Sequence, residues 1–106
     1  MLGSLYKYLN SAAQLSEKEM GAFEEILIQR RINKKEHVAE NGKVCYKALF
    51  FNEGYFRFYH FDAKGNEITS DFYFGPSFIT SYTSFITGAP SFVNVQAMTD
   101  MDVLEF

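Results

Sequence analysis

FFNEGYFRFYHFDAKGNEITSDFYF, residues 50–74, consists of three apolar, aromatic-rich runs separated by two polar breaks. Aromatic side chains suit a pleated, half-buried surface. Over Tyr55 to Phe61 the alternation puts Tyr55, Arg57, Tyr59 and Phe61 on one face and Phe56, Phe58 and His60 on the other. The first run belongs to a longer apolar strand, Tyr46 to Phe51, closed by Asn52-Glu53-Gly54. Its expected hairpin partner is Tyr55 to Phe61. Asp62-Ala63-Lys64-Gly65-Asn66 reads as a tight loop with Gly65 suited to a left-handed conformation. Glu67 to Phe74 resumes the strand pattern until Gly75-Pro76 breaks it.

Towards the N-terminus the period changes. Leu2, Leu5 and Leu9 form one stripe of a short helix that ends at Asn10-Ser11. Ser16 and Glu19 form a capping box, with Leu15 and Met20 spaced as a hydrophobic staple. The helix they open runs to about Leu27, with Met20, Phe23, Ile26 and Leu27 expected on its buried side. From Ile28 the pattern alternates, Ile28, Arg30 and Ile32 sharing a face. Asn33 to Glu36 reads as a turn, His37-Val38-Ala39 as a short strand, and Glu40 to Lys43 as another turn.

On the C-terminal side, Ser77 to Thr87 (SFITSYTSFIT) intersperses hydroxyls with apolar residues and suggests a short helix from about Ser81 to Phe85, ended by Gly88-Ala89-Pro90. Phe92 to Met98 and Met101 to Phe106 read as strands. About eight short strands behind a helical cap imply a mainly β chain: a sandwich, barrel or roll over residues 28–106, with residues 1–27 as the cap. The last strand stops at Glu105-Phe106 with no polar tail, so a piece of a longer protein is expected.

With 106 residues the chain is one domain's worth of protein, and 47% hydrophobic and 22% charged residues fit a globule rather than a disordered segment. The aromatic share of 18% reinforces the β reading. One cysteine, Cys45, excludes an internal disulfide and a multi-cysteine metal site, and suits a reducing, cytoplasmic setting. The first residues lack a secretory pattern, and nowhere do 18 apolar residues follow one another.

Charge is unevenly placed. All ten Lys and Arg lie at or before Lys64, against eight acidic residues there, which leaves that part at +2. Residues 65–106 hold Glu67, Asp71, Asp100, Asp102 and Glu105 and no basic residue, a net −5. That half will not attract polyphosphate through its field, and the chain lacks the basic cluster of a nucleic-acid clamp.

No chemistry-bearing spacing is present. His37, His60 and Cys45 form no metal-ligand motif, no nucleophile elbow occurs, and Glu53, Asp62 and Glu67 sit in or beside turns, where carboxylates are normally solvated. The chain is therefore read as a non-enzyme without a metal. The hydroxyls of Thr80, Ser81, Thr83 and Ser84, at the start of the short helix, either offer donors to a small polar ligand or cap the helix and satisfy buried backbone.

Several motifs in order carry a resemblance: LYKYL at residues 5–9, LSEKEM from Leu15, KKEHVAENG at 34–42, FFNEGYFRFY at 50–59, DAKGNEIT at 62–69 and SFITGAPS at 84–91. In this order the chain resembles the cyclic nucleotide-binding domain of Crp/Fnr-type bacterial regulators, most of all a divergent branch found in Bacteroidetes. The resemblance implies a jelly-roll-like double-stranded β-helix, the cyclic nucleotide-binding β-roll, with N-terminal helices and a short internal helix. It implies a ligand-sensing role in a transcriptional regulator that is a homodimer. Its dimerisation helix and its DNA-reading helix-turn-helix would lie outside these 106 residues.

The family's phosphate-binding cassette reads roughly F-G-E-x-[AS]-L, then P-R-[ST]-A. Anchored on Ser84 and Pro90, its glycine falls at Ser81, its ribose-binding glutamate at Tyr82, its phosphate-pairing arginine at Ser91 and the next Ser/Thr at Phe92. All four depart from the pattern. The expected pocket is Phe78, Thr80, Ser81, Tyr82, Thr83, Ser84, Ser91 and Phe92. Cyclic AMP is disfavoured there, because a buried phosphate needs a cation and none follows Lys64. The competing expectation is a roll with its pocket filled by Tyr82 and Phe92, serving as a dimer or protein-interaction platform.

Overall fold

The computed structural model describes residues 2–12 and 16–106. The chain runs α1 (Leu2–Ala12), α2 (Glu17–Ile26), β1 (Ile28–Ile32), β2 (His37–Ala39), β3 (Leu49–Phe51), β4 (Tyr55–Phe61), β5 (Glu67–Phe74), β6 (Ser77–Ile79), α3 (Tyr82–Thr87), β7 (Asn94–Ala97) and β8 (Met101–Glu105). The capping box at the head of α2 is formed in both directions: Glu19 N–H donates to Ser16 Oγ at 3.1 Å, and Ser16 N–H donates to Glu19 Oε1 at 3.2 Å. Leu15 and the Phe23 side chain lie outside the described residues, so the staple does too.

Two four-stranded antiparallel sheets face each other, one in the order β1-β8-β3-β6 and the other β2-β7-β4-β5. This corrects the expected hairpin. β3 pairs with β6 and β8, whereas β4 pairs with β5 and β7. The Asn52–Gly54 turn carries the chain from one sheet to the other, and Gly54 there has φ of +96°. A Cβ on Gly54 would run into the Thr99 hydroxyl. Pairing across the roll serves burial better than a local hairpin, because it turns Leu49, Phe51 and Phe56 into one core between the sheets.

That core includes Ile32, Val38, Cys45, Leu49, Phe51, Phe56, Ile79, Val95, Ala97, Met101 and Val103. Phe51 and Phe56 meet edge to face at 4.9 Å. A second cluster covers the outside of the first sheet: Leu5 of α1 packs with Phe50 and Leu104, and Tyr8, Leu9, Leu27, Phe78 and Phe106 close around them. The helical stripe is thus realised through Leu5 and Leu9, while Leu2 stays exposed. Ile26, expected on the buried side of its helix, is also exposed, as is Ile28. They flank the α2–β1 junction, where the backbone switches from helix to strand. Strand β3 is shorter than the run that predicted it, and Tyr46 points to solvent. Among the described residues, no helix is long and apolar enough to cross a membrane.

Candidate functional site

The short helix α3 begins after Ser81, whose extended backbone makes it the N-cap, and ends at Gly88, whose left-handed φ of +77° turns the chain back. The turn brings Ser91 beside the start of the helix. Ser81 Oγ and Ser91 Oγ lie 2.8 Å apart, both buried. Ser91 Oγ also donates to Val93 O at 2.7 Å and accepts from Val93 N–H. Its backbone is tied on both sides: Ser91 N–H donates to Lys43 O at 2.8 Å, and Gly42 N–H donates to Ser91 O at 2.9 Å.

The other hydroxyls are also engaged. Ser84 Oγ donates to Ala89 O at 2.5 Å and accepts from Cys45 N–H at 2.8 Å. Thr80 Oγ1 donates to Lys47 O at 2.6 Å and lies 3.5 Å from Cys45 Sγ. Of the two readings of these hydroxyls, the geometry realises internal satisfaction: Thr80 and Ser84 stitch α3 and its flank to the segment from Lys43 to Lys47, and Ser81 and Ser91 bond each other. Ser84→Ala should then leave a buried amide and a carbonyl without their partner, at a cost of about 2–4 kcal/mol measured by urea unfolding.

The structure brings together Thr80, Ser81, Ser84 and Ser91 from the expected pocket, and not the other four. Phe78 faces the opposite side of its sheet, within 5.3 Å of the rings of Phe50, Tyr8 and Phe106. Thr83 is exposed. Tyr82 and Phe92, expected to fill the pocket, are 56% and 81% exposed. Phe92 sits in the bend between Ser91 and β7 that the Val93 N–H to Ser91 Oγ bond closes. Partial burial pushes the Tyr82 phenol up, and the neighbouring phenols of Tyr8 and Tyr73 add to this. Tyr73 in turn packs on Phe58 at 4.7 Å.

Among the described residues no Lys or Arg side chain hydrogen-bonds Ser81 or Ser91. Arg57 is held on the second sheet, where Nε and Nη2 donate to Gln96 Oε1 at 2.9 and 2.7 Å and Nη1 donates to Thr69 and pairs with Glu67. Its guanidinium also stacks over the Tyr59 ring at 4.1 Å. Tyr59 OH lies 2.6 Å from His37 Nε2. Burial pushes the Tyr59 phenol up and the Glu67 carboxylate adds to this, with Arg57 opposing. Sequence reading passed over this ladder because its members come from β2, β4, β5 and β7 and meet only through register. Lys43 touches Ser91 through its backbone, while its ammonium sits at the surface 2.7 Å from Glu40. That hydrogen bond is the main cause that lowers the Glu40 carboxyl and raises the Lys43 ammonium. Among the described residues no group of three His, Cys, Asp or Glu is placed to hold a metal ion.

The arrangement of sheets, α3 and returning strand is shared with solved structures. A regulatory subunit of a cAMP-independent protein kinase A from Trypanosoma brucei superposes with a TM-score of 0.74 over 87% of this chain, at 15% identity. The chain has the β-roll fold of cyclic nucleotide-binding domains. The same β-roll occurs in the catabolite activator protein of Thermus thermophilus (TM-score 0.72, 14% identity, 87% of this chain). It occurs also in the sensor domain of the transcriptional regulator DNR from Pseudomonas aeruginosa (TM-score 0.75, 13% identity, 96% of this chain). This β-roll spans 34% of the Trypanosoma chain, 43% of the Thermus chain and 71% of the DNR sensor chain. No family model and no curated protein matches the sequence.

Proposed function

We propose that this β-roll is the regulatory, non-catalytic sensory domain of a Crp/Fnr-like transcriptional regulator that has given up its grip on a cyclic nucleotide's phosphate. The observation that carries the reading is the Ser81–Ser91 contact at 2.8 Å. These hydroxyls bond each other where the family's cassette needs a cation facing the ligand. Displacing the pair for a phosphate would cost the Ser81–Ser91 hydrogen bond and bury an uncompensated monoanionic phosphodiester, which strongly opposes binding.

The comparisons lend support. The Trypanosoma brucei subunit is described as cAMP-independent, and a triple mutant of it, one change of which introduces an arginine, is bound to cAMP in the A site. An introduced arginine therefore accompanies cyclic nucleotide binding in a neighbour of the same fold. In this chain the effector, where there is one, would be uncharged or carry its anion away from Ser91. DNA contact and family-type dimerisation through a helix would belong to segments outside these residues, and the setting would be the cytoplasm.

A second reading, an interaction platform without a small ligand, is favoured by the exposed side chains of Tyr46, Tyr82, Ile86 and Phe92. Thermal melts with cyclic AMP, cyclic GMP, guanosine and a panel of neutral metabolites separate the two. Cyclic nucleotides up to ~1 mM should leave the melting temperature unchanged, and a sensed metabolite should raise it progressively with concentration. A concentration-dependent rise with cyclic AMP would overturn the proposal, and silence across the panel would favour the platform.

A further inference from the structure

Strand β5 is the longest in the molecule and forms the rim of its sheet; among the described residues only β4 pairs with it. An open rim offers a row of backbone donors and acceptors, which proteins normally blunt with lysine, proline or a bulge. Here the register slips at Ser70, between the pairs Phe58–Asp71 and Tyr59–Thr69. Beyond that bulge, Asp71 to Phe74 is regular and carries neither lysine nor proline. Phe72 is 54% and Phe74 65% exposed. Tyr55 beside them stacks on Phe74 at 5.1 Å, forming an aromatic ledge on the outer face.

We infer that this rim is a self-association surface, on which a second copy of the chain adds its own β5 antiparallel about a two-fold axis at Tyr73. Register arithmetic selects the occupant. With Tyr73 opposite its own copy, Phe72 lies opposite the partner's Phe74 and Asp71 lies opposite the partner's Gly75. All four phenylalanines then share one face of a continuous sheet, and no like charges stand opposed. A basic peptide finds little to hold: Glu67 is already paired with Arg57, which leaves Asp71 as the strand's other carboxylate. The contact is isologous and closes at two copies. It is independent of the ligand reading above, since it uses neither Ser81 nor Ser91.

Sedimentation velocity on the 106-residue chain, from about 5 to 500 µM, tests this. The mass should rise from 12.2 kDa towards twice that value as concentration increases. Phe74→Lys and Phe72→Glu, each checked for folding by circular dichroism, should each raise the dissociation constant roughly tenfold or more. The double variant Phe72→Glu/Phe74→Lys places opposite charges across the axis and should recover association that weakens with added salt. A constant 12.2 kDa throughout would overturn the inference. So would association that ignores the single variants, or a double variant no better than either single one.

Discussion

Ser91→Arg is expected to destabilise the free chain by about 3 kcal/mol and to make its stability respond to cyclic AMP for the first time. The substitution removes the Ser81–Ser91 pair and both contacts of the Ser91 hydroxyl with Val93. It also places a guanidinium in a buried position with no anion beside it, and that is the larger part of the cost. A cyclic nucleotide would supply the missing anion and be bound in a bidentate manner. Adding Tyr82→Glu offers a carboxylate at the position aligned with the family's ribose-binding glutamate and should strengthen the response. Differential scanning fluorimetry reads both effects: a lower melting temperature without ligand, and recovery that scales with cyclic AMP but not with adenosine. A variant as stable as the parent and indifferent to the nucleotide would show that the serine pair is not what excludes the phosphate.

Phe56→Ala should cost about 3–5 kcal/mol, a large fraction of the roughly 5–15 kcal/mol available to a domain of this size. Phe56 is fully buried, meets Phe51 edge to face and sits opposite Ala97 in the sheet. Its loss opens a cavity that Ala97 cannot fill. Because Phe51 and Phe56 come from different sheets, the cavity loosens the contact that holds the roll closed. Chemical unfolding should show a fall in midpoint with little change in slope. Phe72→Ala on the exposed rim, by contrast, should move the midpoint far less.

The contrast between Phe56 and Phe72 shows what the sequence carried. Strands β4 and β5 were legible to the residue, because alternation and the Asp62–Asn66 loop are local signals. The capping box was legible for the same reason. Pairing was not. Whether Tyr55 to Phe61 joins Tyr46 to Phe51 or Glu67 to Phe74 depends on which closure buries more apolar surface, and that is a property of the whole roll. Strand β6 was hidden in a run of hydroxyls that reads as helix or loop, yet its Ile79 lies in the core and its Phe78 under α1.

For the site, residue types pointed to the serine-rich segment, and the structure showed what the hydroxyls do there. The Ser84 hydroxyl reaches Cys45 and the Ser91 backbone reaches Lys43, partners 39 and 48 positions away in the chain. No spacing rule anticipates such bonds.

The most direct test is an NMR titration of the unaltered chain with cyclic AMP, following the backbone amides of Cys45, Ser84, Ser91 and Val93. The Cys45 amide donates to Ser84 Oγ, the Val93 amide donates to Ser91 Oγ, and the other two belong to those serines, so a phosphate entering among them must move their resonances. The prediction is that all four hold their positions as the nucleotide rises to about 5 mM. Saturable shifts of Ser91 and Val93 with a sub-millimolar midpoint would mean that the β-roll accepts the phosphate without an arginine.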